Sequence, residues 1–423
     1  MTFFGLVWFL FVLWCFIKKD IKYMLFATLL FMAFQSCNVI YLGGSGIGPG
    51  ILTSLLFVVK TFVHRGGRFY YYKRDRLILL IAFLLIGIVI FSSSRNGIIG
   101  NNFVLILQLL GYILCFTCIN FIKNELDKDV VYHIVRTIII FLGIMGIVQF
   151  LTTTEILPLR SVLNLLFYND PDTNVLFHKY NYSRIMSTYM EPSYFAGFVV
   201  GAFYYLLSIR DKWKQNSWII ILLAVETIMT KSSTAYGAFF AIGIVFILFA
   251  KNIGIEWKIM GVVLAALGFC IVYFGFYNIL EAVIFSKEST GSFITRIRWN
   301  NEAMQAFKSS IIYGVGYKNC RGSSIVYSLL GQLGCIGFAL YVMFNLVIIL
   351  PLFKNKKIGY LDDIYSNGIR YAVLSAVVCQ IIACPDLDLC TYWFWLYCEG
   401  TIIFISKSKS NQKSQHLIEN LQE

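Results

Sequence analysis

The chain has 423 residues, of which 58% are hydrophobic and only 13% charged, where soluble domains carry roughly 25% charged residues. Apolar runs recur from end to end, which excludes both a soluble globular protein and a soluble domain on a single anchor. The formal net charge of +13 does not point to nucleic acid as a partner. The basic residues lie in short segments between apolar runs, where membrane topology accounts for them.

The runs are about 18–22 residues long, which suits a helix crossing roughly 30 Å of hydrocarbon, and they lack the alternation of barrel strands. The expected fold class is therefore all-α: a polytopic integral membrane protein with about 12–13 transmembrane helices. In chain order the candidate spans are 2–17, 23–42, 47–63, 77–93, 102–122, 131–151, 193–209, 217–230, 233–250, 259–278, 324–352, 368–383 and 388–405. The first lacks a small-residue cleavage site before Lys18 and reads as a retained helix. Residues 1–405 then form one transmembrane domain, and 406–423 a cytoplasmic tail.

Lysine and arginine orient the map. The segments 18–22, 60–76, 123–128, 210–214, 251–258, 354–357 with Arg370, and 407–413 hold 23 of the 35 basic residues and all fall on one side. By the positive-inside rule that side is cytoplasmic. Two long connections, 152–192 and 279–323, fall on the outer face and carry Arg160, Lys179, Arg184, Lys287, Arg296, Arg298, Lys308, Lys318 and Arg321. Long external loops tolerate positive charge. Two of them on one face are also what a site for an anionic ligand at the interface requires.

Most of the eleven cysteines fall inside spans. Cys115 and Cys118 read as packing residues rather than a metal or redox pair, and Cys384 and Cys390 flank a turn without demanding a disulfide. There is no phosphate-binding Gly-rich loop, no dinucleotide fingerprint and no His/Cys/Asp/Glu cluster at metal spacing, so no cofactor and no metal are expected.

The polar residues worth attention lie on the outer face. In "SRIMSTYMEPSYFAGF" (183–198) Pro192 suits the first turn of a helix, which places Glu191 at its N-terminal threshold. A capping carboxylate with Arg184 as its surface partner is the plain reading. In 291–319, Ile297, Ala303, Met304 and Phe307 space like one face of a short interfacial helix that Arg296 and Arg298 open. Gly314 and Gly316 make a turn before the chain re-enters the membrane. At 229–240, Lys231, Ser232, Ser233 and Thr234 crowd a tight polar turn. Inside the spans Glu226 and Glu399 require partners or a cavity, Arg136 snorkels toward the basic side, and Asp386 and Asp388 sit in the turn between the last two spans.

Read in order, R-x-x-S-x-x-x-E-P-S-x-F-A from Arg184, T-x-S-S from Thr230, and R-I-x-W followed by G-V-G-Y from Arg296 to Tyr317 resemble the O-antigen polymerase (Wzy-type) family of bacterial surface-polysaccharide assembly, within the wider O-antigen ligase and polymerase group. By motif the resemblance covers about residues 183–340. It implies a GT-C-like protein of the bacterial cytoplasmic (inner) membrane with its active site on the extracytoplasmic face. The implied reaction is polymerisation of undecaprenyl-diphosphate-linked oligosaccharide repeat units into O-antigen, capsule or exopolysaccharide. The growing glycan passes to a sugar hydroxyl of the next lipid-linked unit, with no nucleotide or metal. Membrane lipid, a chain-length regulator and other assembly proteins are the implied partners.

On that resemblance Arg184, Arg296 and Arg298 are candidates to stabilise the departing diphosphate, as arginine suits phosphate. Lys231, Ser187, Ser233, Gly314, Gly316 and Tyr317 are candidates for binding substrate. Glu191 is the first candidate for the base, with sugar binding as its alternative, and His178 the second. The alternatives are a ligase moving finished glycan to another acceptor, or a flippase or transporter of lipid-linked oligosaccharide. Ligases rely on a histidine in the second outer loop, and 279–323 contains none.

Overall fold

A computed structural model of the chain describes residues 2–42, 45–65, 73–100, 102–166, 184–249, 256, 291–353 and 364–402. The expected span 259–278, His178, Lys179, Lys287 and the tail 406–423 lie outside the described residues. The architecture is all-α. Its helices are α1 (Phe3–Ile17), α2 (Lys22–Met32), α3 (Pro49–Arg65), α4 (Lys73–Arg95), α5 (Phe103–Ile122), α6 (Lys128–Thr153) and α7 (Arg160–Leu166). They continue as α8 (Pro192–Ser208), α9 (Trp213–Met229), α10 (Ser233–Phe249), α11 (Gly291–Ser309), α12 (Ile325–Ile349), α13 (Ile364–Ile382) and α14 (Cys390–Gly400). A short antiparallel ribbon, β1 (Ile40–Leu42) with β2 (Ser45–Ile47), pairs Ile40 with Ile47.

Among the described residues, four helices are long and apolar enough to cross a membrane: Asp75–Arg95, Phe103–Glu125, Lys128–Thr153 and Ile325–Leu352. This is fewer than the sequence predicts. The segment 23–42 reads as one span by hydropathy, yet its helix ends at Met32 and the apolar remainder turns into the ribbon. Likewise the described part of 388–405, which ends at Ile402, holds the eleven-residue α14, all of it buried by protein. A short helix enclosed by others can satisfy its ends without reaching both surfaces, which is why apolar windows overcount spans. The expected spans 193–209 and 217–230 are α8 and α9, which meet at 92°.

The core centres on α8, whose residues are buried from Pro192 through Leu206 with few exceptions. It packs most extensively on α13 and also touches α9, α10 and α14. Gly201 permits this density: a Cβ there would lie 2.8 Å from the Trp395 Nε1 of α14. Cys115, Cys118, Cys384 and Cys390 are buried free thiols, in keeping with packing.

The helix ends sort into two groups. At one end Lys60 Nζ donates to the carbonyls of Phe16 (2.8 Å) and Lys18 (2.9 Å). His64 meets Glu125, and Lys123 forms a buried ion pair with Asp75. There too Tyr132 Oη and Arg136 Nε donate to Asn216 Oδ1, both at 3.0 Å, and Tyr132 packs on Tyr365. The described segments rich in lysine and arginine thus gather at a single end. At the other, Ser36 Oγ donates to Thr188 O (2.9 Å), Gln149 Oε1 accepts from the amides of Met186 and Ser187 (2.9 Å each), and Tyr194 reaches Asp386.

Single cysteines introduced at the exposed positions Lys19 and Asn124 are therefore expected to react with a membrane-impermeant maleimide from the same side of the membrane, and one at Asn319 from the opposite side. Mass-shift labelling of intact cells against inverted vesicles, read above the background of the exposed Cys335, checks this.

Candidate active site at the motif-bearing end

The site begins with a broken helix. Gly334 in α12 has φ +64°, so the regular ladder stops there. The break releases the carbonyls of Gly331 and Gln332 and the amides of Cys335 and Ile336, and groups so released must find other partners. Residues 311–316 supply them. The amides of Val315 and Gly316 donate to Gly331 O (3.0 Å) and Gln332 O (2.9 Å), and Cys335 N and Ile336 N donate to Ile311 O (2.8 Å) and Ile312 O (3.3 Å). Gly314 and Gly316, at φ +68° and +104°, allow the chain to lie this close; a Cβ on Gly314 would sit 2.3 Å from Gln332 O. The end of α4 completes the seat, with Ser92 Oγ donating to Tyr313 O (2.6 Å) and Tyr317 N donating to Ser93 Oγ (3.1 Å).

This turn delivers Lys318, which itself takes a left-handed φ of +59°. Its Nζ lies 2.6 Å from Asp386 Oδ1 and 2.8 Å from Asp388 Oδ1, both in the turn between α13 and α14. Asp386 Oδ2 accepts in turn from the Tyr194 hydroxyl at 2.9 Å, in the first turn of α8. Burial alone would push the Lys318 pKa down, but the two aspartates outweigh it and hold it above its ordinary value. For Asp386 burial pushes upward, and the Lys318 ammonium and the Tyr194 hydroxyl outweigh it, leaving the carboxyl below its ordinary value.

Beside this chain of contacts lies a cavity of about 430 Å³, lined by Met190, Glu191, Tyr194, Lys318, Cys320, Arg321, Ser328, Gln332 and Asp386. Glu191 occupies the N-cap position of α8, with extended backbone at φ −141° and ψ 151°, and Pro192 follows at the helix start as the sequence predicts. The carboxylate nevertheless makes no capping bond to the backbone. Its Oε2 accepts from Ser193 Oγ at 3.0 Å, and the side chain faces the cavity. Across the cavity Arg321 brings a guanidinium that forms no ion pair within 4 Å among the described residues. Burial pushes the Cys320 thiol up to about 11, so it stays protonated at neutral pH.

The other expected residues fall elsewhere. Arg184 donates from Nε to Thr230 O (3.1 Å) at the end of α9, next to the turn where Lys231 is exposed at φ +46° and where Ser233 opens α10. Ser187 is buried; its Oγ donates to Leu142 O at 2.8 Å. Tyr317 is fully buried, and Gly314 and Gly316 contribute backbone geometry. In α11, Arg298 is exposed and 3.7 Å from Glu302. Arg296 is half-buried, two turns before the buried Ala303 and on the same face. Of the expected apolar face, Ala303 is buried, Met304 and Phe307 are half-buried and Ile297 is 45% exposed. Glu226 is fully buried against α6, where a Cβ on Gly146 would meet its Oε1 at 2.5 Å.

Of the described residues proposed from the resemblance as catalytic or substrate-binding, Glu191 alone lines the cavity; Asp386, noted in the sequence for its turn, and the loop cations Lys318 and Arg321 line it too, with Tyr194 and Gln332. Two signals pointed there: Lys318 directly follows G-V-G-Y, and Asp386 and Asp388 share one short turn. No protein-family model, no curated protein and no solved structure matches the chain.

Lys318 and Asp386 are only 21% and 25% exposed, so removing one partner is expected to cost about 2–3 kcal/mol. The sign of the pH dependence is also determined. In the wild type the lowered Asp386 and raised Lys318 give a stability contribution that is complete across neutral pH. It is lost only in acid below the ordinary carboxylate range and in base above the ordinary lysine range. Lys318→Met leaves two facing carboxylates, which raises the affinity of the pair for a proton. Its thermal stability in detergent should therefore rise as pH falls from about 8 to 5, relative to the wild type, whose intact pair contributes no such rise.

Proposed function

We propose that the chain is a polymerase of polysaccharide repeat units carried on undecaprenyl diphosphate, acting in the cavity between Glu191 and Arg321. The observation that carries this reading is the meeting in one cavity, at the end of a membrane helical bundle, of the Glu191 carboxylate and the Arg321 guanidinium, neither of which forms an ion pair within 4 Å among the described residues. Transfer from a lipid diphosphate needs both. The sugar C1–O bond to the diphosphate breaks, and the negative charge that develops on the leaving oxygen is stabilised by Arg321. The acceptor hydroxyl attacks C1, and Glu191 takes its proton. Lys318, held by its two aspartates, keeps the opposite wall in place.

The order of the sequence motifs supports the same reading, since Glu191 and Lys318, the residue directly after the G-V-G-Y turn, line one cavity. The cavity end is then extracytoplasmic, because the lysine- and arginine-rich segments lie at the other. Arg184 and Lys231, adjacent at the end of α9, suit contact with lipid headgroups at the same interface.

The purified full-length chain, given a single undecaprenyl-diphosphate-linked repeat unit, should produce a ladder of lengthened glycans. Glu191→Gln and Arg321→Ala are each expected to lower the initial rate by about 100-fold or more. Product that forms only when a different acceptor is added would make the chain a ligase. Movement of the lipid-linked unit across vesicles without new glycosidic bonds would make it a transporter.

A further inference from the structure

The arginine of the cavity is held from three directions. Its loop is pinned by Gln332 Nε2 donating to Cys320 O (2.7 Å) and by Gly322 N donating to Ser328 Oγ (2.9 Å). Beyond it, Ser323 N donates to Asn300 Oδ1 of α11 at 2.8 Å. Between these anchors the Arg321 guanidinium lies over the indole of Trp299, 4.5 Å from the ring centroid. The helix that carries the ring is firmly placed. One turn along α11, Ala303 is fully buried at backbone contact with α12; a Cβ on Gly331 would lie 2.9 Å from Ala303 O. Such an aromatic face attracts a guanidinium while leaving its N–H fork in the ring plane available for hydrogen bonds.

We propose that Trp299 is a positioning residue for Arg321, and that the stacked pair is the cavity's binding element for a diphosphate group. This rests on the reading of the cavity as a diphosphate-donor site. Lys318 is unsuited to the task, since its ammonium already serves Asp386 and Asp388. The exposed Arg321 side chain would sample many rotamers without the ring. The stack narrows them, so the entropic cost of ordering the side chain is met before ligand arrives.

The test is titration of the purified full-length protein in detergent with inorganic pyrophosphate, by calorimetry, alongside the melting temperature of each variant. The wild type binds, and Arg321→Ala weakens binding by about tenfold or more. Trp299→Leu weakens it by about 3- to 10-fold at an unchanged melting temperature. Trp299→Phe, which keeps a smaller ring, falls between the two and carries the test if the leucine variant does not fold. Adding Trp299→Leu to Arg321→Ala has no further effect, which a merely structural role for the tryptophan would not produce. If Arg321→Ala loses binding but both Trp299 variants bind as the wild type does, the positioning role is overturned and the diphosphate site stands. If the wild type does not bind, or Arg321→Ala binds equally well, both are overturned.

Discussion

The ammonium of Lys318 joins segments that are far apart in the chain. Through Asp386 it reaches Tyr194 and thereby the start of α8; through Asp386 and Asp388 it fixes the turn between α13 and α14; and its own position depends on the glycine turn seated in the break of α12. An ion pair at this depth stabilises little in net terms, because desolvation offsets most of the attraction. Its effect is on geometry. A cation between two carboxylates tolerates few alternative arrangements, and the cavity walls inherit that restriction.

The broken helix explains why the glycine turn has its sequence. A continuous α12 would have no carbonyls to offer at Gly331 and Gln332 and no amides at Cys335 and Ile336. With the break at Gly334 these groups pair with residues 311–316, and only glycine fits at 314 and 316. The motif G-V-G-Y-K is thus a backbone device that ends in a charged side chain. Glu191 is placed by a similar economy: Pro192 starts α8, the residue before it is extended, and its carboxylate turns to the Ser193 hydroxyl and the cavity rather than onto the helix amides.

Much of this was legible in the sequence. The all-helical membrane class follows from the apolar runs, the gathering of basic segments at one end from their placement, and the helix start at Pro192 from proline chemistry. Spans such as 23–42 were not legible as short helices, because hydropathy measures apolarity and cannot separate a lipid-facing helix from a chain enclosed by protein. The rotation of α11 was not fixed by its spacing, which suits several orientations; the contact of Ala303 with Gly331 selects among them. Lys318 and Arg321 were visible only as loop charges, since the carboxylates that hold Lys318 lie in a distant turn and the stacking of Arg321 on Trp299 depends on how α11 packs against α12.

The cavity's chemistry is asymmetric in a useful way. One cation is held by carboxylates and shapes the wall, while the other rests on an aromatic ring and forms no ion pair within 4 Å among the described residues. The most direct measurement of the central claim is the length distribution of surface glycan in host cells that lack the chain and are supplied with either the wild type or Glu191→Gln. The account predicts long polymer with the wild type and single repeat units with the variant, at equal protein abundance. Full-length polymer with Glu191→Gln would contradict it.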